Sequence, residues 1–255
     1  IKDPNVIGLV KKYLKAGIMD KGQYVATEEG SAQGNIISPV LANIYMHYVF
    51  VLWYKEIIEK RAEGENFLVV YADDFIAGFQ YQREAQAYYE ALKKRMSKFG
   101  LELESSKSKI IKFGRYAEQN RKSLGQGKPE TFDFLGLTFY CSKTRQGKPC
   151  IKVKTSKKKF RQKVKAMKVW LYENRDIRVK DLMDKLSIKL VGHYRYYGIS
   201  HNGKMLANFR QRTIEYLFKV LNRRSNRRSY NWEGFTEMLR YYKLPYPKIY
   251  VSLFD

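Results

Sequence analysis

Apolar residues recur at Val6, Leu9, Val10 and Leu14 with the spacing of one helical face, and Gly17 follows as a stop, so a helix is expected over residues 5–16. A short strand with a turn is expected around residues 23–27. Ser38 before Pro39 is a helix start signal, with serine as the cap and proline in the first turn, where its missing N–H costs nothing. The helix should run to about Arg61. Because Leu41, Ile44, Tyr45, Tyr48, Val49 and Leu52 cover it almost all round, it is expected to be a buried central helix. Residues 67–71 and 75–79 read as apolar partner strands joined by a tight turn of Ala72, Asp73 and Asp74. An amphipathic helix over 83–99, ended by Gly100, precedes short strands at 101–103 and 109–113. Residues 115–130 are polar and rich in Gly, Lys and Gln, the composition of a surface loop that adds nothing to a core. Strands at 132–141 and 149–154 flank a basic turn.

After Lys154 the period becomes helical. Thr155 and Ser156 can cap a helix to about Tyr172, and a second, over 178–198, puts Leu182, Leu186, Leu190, Tyr194 and Tyr197 on one stripe. A third, over 203–223, does the same with Leu206, Phe209, Ile214, Leu217 and Leu221. Asn231 can cap a short fourth helix through Trp232, Phe235 and Leu239, ahead of Pro245 and Pro247. The pattern therefore predicts an α+β chain: a mixed domain over residues 1–152 and a helical bundle over 153–255.

Composition changes this picture in one respect. With 255 residues, 44% of them hydrophobic and 15% aromatic, the chain can bury a real core and is not a disordered basic tail. No apolar run approaches the ~20 residues of a membrane span, and no membrane partner is expected. The two cysteines and three histidines form no cluster of metal-binding spacing. Cys141 and Cys150 could face one another across their hairpin, but the cysteine usage implies a reducing compartment, which argues against a disulfide. The charge is what stands out: residues 1–150 hold 23 Lys and Arg against 17 Asp and Glu, whereas 151–255 hold 26 against 8. A folded, aromatic-rich segment with that excess points to phosphate backbones, because neutralising phosphates releases condensed counterions.

Chemistry enters at Asp73 and Asp74, which follow FLVV and precede FIAGF. Two carboxylates between apolar strands call for a compensating cation, or else form an ordinary solvent-facing turn. Their hard oxygens suit Mg²⁺, which takes one or two carboxylates together with substrate phosphates. Two such ions could clamp the attacking 3′ oxygen and the leaving pyrophosphate of an in-line displacement.

Tyr71-Ala72-Asp73-Asp74 resembles the catalytic box of reverse transcriptases. Upstream, the segment from Gln33-Gly34 through Ser38-Pro39 to Leu41-Ala42-Asn43-Ile44-Tyr45 is similar to their QGxxxSPxLANIY block. Downstream, residues 100–110 resemble the next block, with Lys107 at its lysine, and Phe134-Leu135-Gly136 resembles the FLG block. In the basic bundle, Leu190-Val191-Gly192-His193-Tyr194-Arg195-Tyr196-Tyr197-Gly198 looks like the LRGHYNYYG-type segment of the maturase, or thumb, domain of bacterial group II intron proteins. Residues 222–228, Trp232 and Phe235 resemble that domain's end.

The resemblance implies a right-hand polymerase palm, an antiparallel sheet with packed helices, followed by an all-α thumb. It implies RNA-directed DNA synthesis with two Mg²⁺ ions, Mn²⁺ being a possible substitute, held by Asp73 and Asp74 with Asp73 the foremost ligand. Gln33, Gly34, Tyr71, Ala72 and Lys107 would lie against nucleotide and template, and Phe134, Leu135 and Gly136 against the primer. Lys157, Lys158, Lys159, Lys163, Arg195, Arg223, Arg224, Arg227 and Arg228 would contact RNA or DNA backbones. Tyr194, Tyr196 and Tyr197 could stack on bases, although Tyr194 and Tyr197 sit at core spacing. Implied partners are an RNA template, a DNA primer, dNTPs and group II intron RNA, in a bacterial cytoplasm or at the nucleoid.

Departures from the family qualify these expectations. Its first catalytic aspartate lies in an earlier DIxxFFD-like block that does not occur in these residues, so an upstream fingers and palm portion, in the same or a separate polypeptide, is expected to complete the site. Residues 1–255 alone are not expected to polymerise, nor, lacking a Cys/His-rich endonuclease module, to nick DNA. Retron, diversity-generating and defence-associated reverse transcriptases share the palm blocks and remain an alternative. From another class, an RNA-binding maturase without polymerase activity does too.

Overall fold

Two apolar runs build a hairpin, β3 (Asn66–Tyr71) antiparallel to β4 (Asp74–Phe79), with Tyr71 opposite Asp74 and Asn66 opposite Phe79. The computed structural model describes residues 2–15, 17–20, 23–25, 37–224 and 229–253. Within them the chain divides into two compact units, Ile1–Ile110 and Ile111–Asp255. That division falls ahead of the change in charge and period near residue 152.

In the first unit, helix α1 (Pro4–Lys15) and the pair β1 (Ile18–Asp20) and β2 (Gln23–Val25) come before α2 (Ser38–Met46). Ile37, rather than Ser38, occupies the N-cap position of α2, with no capping side-chain hydrogen bond, and Pro39 takes the first turn. The helix continues as two π-helical stretches, His47–Val51 and Tyr54–Glu59. Val49, Phe50 and Tyr54 on these stretches pack with Tyr88, Leu92 and Met96 of α3 (Gln82–Lys98) to form the unit's core. Phe50 meets Phe75 with ring centroids 4.7 Å apart, and Phe79 meets Tyr88 at 5.0 Å. The Tyr54 hydroxyl donates to Asn66 Oδ1 at 2.8 Å, and burial pushes its phenol up to about 12.

Two expectations are corrected here. The helix is not buried all round: only the face toward α3 and the hairpin is covered, and Val40, Ile44, Tyr45 and Tyr48 are exposed. Residues 101–113 form no strands. Glu104 organises a turn instead, its carbonyl accepting from Lys107 N and Ser108 N and its carboxylate from Ser106 Oγ at 2.7 Å. The turn lies between the two expected strands, and no ladder forms on either side of it among the described residues.

The second unit opens with α4 (Ala117–Ser123) where a plain loop was expected, and Ala117 is buried. Its sheet runs β5 (Phe132–Phe134), β6 (Leu137–Lys143), β7 (Pro149–Thr155), all antiparallel. Phe134-Leu135-Gly136 breaks the single strand expected there into two. Cys150 pairs with Ser142 rather than Cys141, so the cysteines lie on opposite faces, and both are free.

Helices α5 (Lys157–Glu173), α6 (Val179–Tyr197), α7 (Gly203–Leu221) and α8 (Trp232–Tyr241) follow the expected stripes. Ser156 caps α5 by accepting from Lys159 N, and Asn231 caps α8 by accepting from Gly234 N. Leu137 and Val153 of the sheet share one core with Leu182, Leu186, Leu190, Leu206, Phe209 and Phe235 of the bundle. At its centre Asn202, fully buried, accepts from Thr155 N and donates to Thr155 Oγ1 and Tyr197 O, each at 2.8 Å. It ties the ends of β7 and α6 to the start of α7. Beyond α8, the last residues cross Gly198, whose carbonyl accepts from Tyr250 N and Val251 N. A Cβ at Gly198 would come within 2.3 Å of Tyr194 O, so only glycine fits.

Candidate active site and nucleic-acid interface

The β3–β4 hairpin closes in a two-residue turn, Ala72-Asp73, with Tyr71 and Asp74 as the flanking pair. Ala72 has a φ of 53°, in the left-handed region that costs an L-residue roughly 1 kcal/mol. Paired residues share a face, so Asp74 stands beside Tyr71 on the side that also carries Val69 and Phe67. That side is open: Tyr71 is 61% exposed, and both aspartates are exposed rather than buried between strands. Phe75 points the other way, into the core against Phe50.

Neither carboxylate has a hydrogen-bond or ion-pair partner among the described residues. Two adjacent, unpartnered carboxylates at a solvent-open tip are a donor set that fits Mg²⁺, which keeps part of its water shell and accepts one or two carboxylates. Among the described residues no third His, Cys, Asp or Glu joins them. Lys107 is exposed in the turn that Glu104 closes.

Phe134-Leu135-Gly136 forms a second tight turn in the other unit. Phe134 pairs with Leu137, and Leu135 and Gly136 both have positive φ, 50° and 78°, as a hairpin turn matching the strand twist requires. The bundle holds this turn. Leu135 O accepts from the Tyr196 hydroxyl at 3.2 Å, and Gly136 O accepts from Ser156 N at 3.0 Å. A Cβ on Gly136 would lie 3.2 Å from both Lys159 Cγ and the Tyr197 hydroxyl.

The turn therefore brings together residues from distant motifs. Lys157, Lys158 and Lys159, exposed on the first turn of α5, stand beside it, and Arg195 is exposed next to Tyr196. Tyr196 is 60% exposed, whereas Tyr194 and Tyr197 belong to the core. Lys163 is exposed one turn further along α5. Near it His193 lies with its ring 3.7 Å from that of Phe209, and burial, reinforced by the Lys163 charge, holds its imidazole down at about 4.

Other residues do not join this cluster. Arg223 donates to the Tyr172 hydroxyl at 3.0 Å, about 22 Å along α5 from the lysine triplet at 1.5 Å per residue. Arg224 is half-buried and turns Nε and Nη2 inward, where they find no partner among the described residues. Gln33, Gly34, Arg227 and Arg228 lie outside the described residues. Sequence reasoning missed Asn202. A lone asparagine between two helical stripes carries no periodic signal, and only its three hydrogen bonds reveal its role.

Comparison with known proteins covers both units unevenly. Residues 2–139 match the family described as "Reverse transcriptase (RNA-dependent DNA polymerase)", so the Asp73-Asp74 hairpin and the FLG turn fall inside the match and α5 to α8 fall outside it. The group II intron-encoded protein LtrA of Lactococcus lactis is 33% identical over 129 residues, covering 46% of this chain and 21% of that protein. An uncharacterized 91 kDa protein in a cob intron of Schizosaccharomyces pombe is 47% identical over 47 residues, 18% of this chain and 6% of its own. The chain thus spans about a fifth of the length of its group II intron-encoded relative. With more than half of its length matched and the motifs in family order, the chain belongs to the reverse transcriptase family, and its similarity within that family is to group II intron-encoded protein.

Proposed function

We propose that this chain is part of an RNA-directed DNA polymerase of the group II intron type, with residues 1–152 in the palm and 153–255 as a thumb that also binds intron RNA and assists its splicing. The observation that carries the reading is the pair of adjacent, exposed carboxylates, without a partner among the described residues, at the tip of an otherwise apolar hairpin. Asp73 and Asp74 would hold Mg²⁺, which when bound lowers the energy of charge developing on the 3′ oxygen and the pyrophosphate. Ala72 keeps the turn small beside the primer end, and Tyr71 offers an exposed ring to it. Gln33, Gly34 and Lys107 serve the nucleotide and template.

Leu135 and Gly136 support the primer strand. Their turn is hydrogen-bonded to the thumb helices, so the grip on the primer and the grip on the duplex behind it move as one body. Lys157, Lys158, Lys159, Lys163, Arg195 and Arg223 neutralise phosphates. A third carboxylate comes from an upstream palm segment. No helix among the described residues is long and apolar enough to cross a membrane, and the proposed workplace is the cytoplasm and nucleoid.

The test is primer extension on an RNA template with the upstream portion supplied. Asp73→Asn is expected to lower extension by roughly a thousandfold while RNA binding stays within twofold of the parent. Extension that survives the substitution would overturn the assignment.

A further inference from the structure

Tyr246 is 76% exposed, yet it is held more firmly than a surface ring needs to be. Pro245 and Pro247 flank it, fixing their own φ and confining Tyr246 to extended backbone. Arg210 of α7 lies over the ring at 4.0 Å from its centroid, and its Nε donates to Pro245 O at 3.1 Å. The same carbonyl accepts from the buried Tyr194, and Leu244, next along the chain, is buried as a plug. One face of the ring is therefore backed by a fixed guanidinium, and the other is open to solvent. Tyr241, 79% exposed, stands five residues earlier at the end of α8. Around them Arg240, Lys243 and Lys248 are exposed, and residues 238–253 contain no carboxylate.

An exposed ring confined by two prolines and a guanidinium has little ordering entropy left to lose when something flat settles on it. A nucleobase needs one flat face with positive charge beside it for its phosphates, which the ring and the neighbouring cations supply. We propose that Tyr246, backed by Arg210, is a stacking platform for an unpaired base of single-stranded RNA, with Tyr241 as a second platform. The ring would take a base, whereas the lysines beside the FLG turn are proposed to engage backbone phosphates. This role rests on the reading of the bundle as RNA-binding, and adds that the bundle distinguishes single strands from duplexes.

The test uses the full chain, a 12-nucleotide single-stranded RNA carrying 2-aminopurine, and a perfect RNA duplex of the same length. Tyr246→Ala is expected to weaken single-strand binding roughly tenfold, to abolish the fluorescence quench of the stacked base, and to leave duplex affinity within twofold. Tyr246→Phe should restore both affinity and quench, which a merely structural role of the hydroxyl would not. If Tyr246→Ala binds and quenches like the parent, or weakens single strands and duplexes equally, the platform is refuted while the RNA-binding reading stands. If the parent chain binds neither RNA, both fall.

Discussion

Residues 1–110 carry 15 Lys and Arg against 14 Asp and Glu, while residues 111–255 carry 34 against 11. Burial differs just as sharply. The first unit has a small core, Val49, Phe50, Tyr54, Tyr88, Leu92 and Met96, and leaves Phe67, Val69 and Tyr71 exposed on one sheet face. The second unites sheet and bundle in one continuous core and turns its cations outward. A near-neutral surface with open apolar side chains and paired carboxylates suits close contact with a reacting centre. A surface with a net charge of this size repels itself, and the unit tolerates that because its core is large. The adjacent carboxylates and the cationic surface are thereby kept on separate units.

The sharpest way to break this comparison is to neutralise cations in each unit of the full chain. Replacing Lys157, Lys158, Lys159 and Lys163 with alanine should lower affinity for an RNA–DNA duplex on the order of a thousandfold at 0.1 M salt, with the salt slope falling by ~3. Neutralising Lys55, Lys60, Arg83 and Lys93 in the first unit should leave both quantities within about twofold. Fluorescence anisotropy across a salt series reads both. Equal losses from the two sets would mean that charge is not divided as the units are.

A second contrast concerns the dryness of the larger core. His193 is held at about 4 by burial, whereas the unfolded chain would titrate it near its ordinary value of about 6.5. Because the depressed value belongs to the folded state, its stability is full above pH 6.5 and falls as the unfolded chain takes up the proton. By pH 5 the loss should be about 2 kcal/mol, saturating below pH 4. Urea denaturation followed at the second unit's Trp170 should show this loss in the parent and most of it removed between pH 7.5 and 5 in His193→Gln, the remainder belonging to His201, whose imidazole burial also holds below its ordinary value. A parent that is equally stable at both values would mean the imidazole is solvated.

How much of this was legible in the sequence follows from where each element gets its stability. Helices α5 to α8 each bury a stripe, so Leu182, Leu186, Leu190, Leu206 and Phe209 announced them, and Ser156 and Asn231 announced two of their starts. The Asp73-Asp74 hairpin was equally plain from its flanking apolar strands. Residues 101–113 misled because alternating Leu101 and Leu103 read as strand while Glu104 could close a turn with its own neighbours. The seven residues of α4 have no apolar period, and the helix is anchored instead by the buried Ala117 and by the Glu118–Lys143 ion pair to β6. Along the helix from Ser38 to Glu59 burial is reached only at Val49, Phe50 and Tyr54, which face α3 and the hairpin, a fact of tertiary placement. The FLG turn was legible as a motif but not as a turn, because leucine seldom accepts the φ that Leu135 adopts.

The two tight turns provide the finest comparison between the units, since each forces a positive φ and each assigns it to a different kind of residue. Gly136 suits its φ of 78°, and adding a methyl would also crowd Lys159 and the Tyr197 hydroxyl at 3.2 Å. Gly136→Ala should therefore cost about 1–2 kcal/mol from backbone strain and crowding together. Ala72 occupies the corresponding region at 53° in the open hairpin. Glycine there would relieve the strain but add freedom to the unfolded chain, so Ala72→Gly should stabilise by only about 0.5 kcal/mol. Opposite signs at the two turns, measured by denaturant midpoints, are the expected result. A destabilising Ala72→Gly would show that the Ala72-Asp73 turn is held by the alanine methyl rather than strained by it, and the β3–β4 hairpin would then be the more rigid of the two turns.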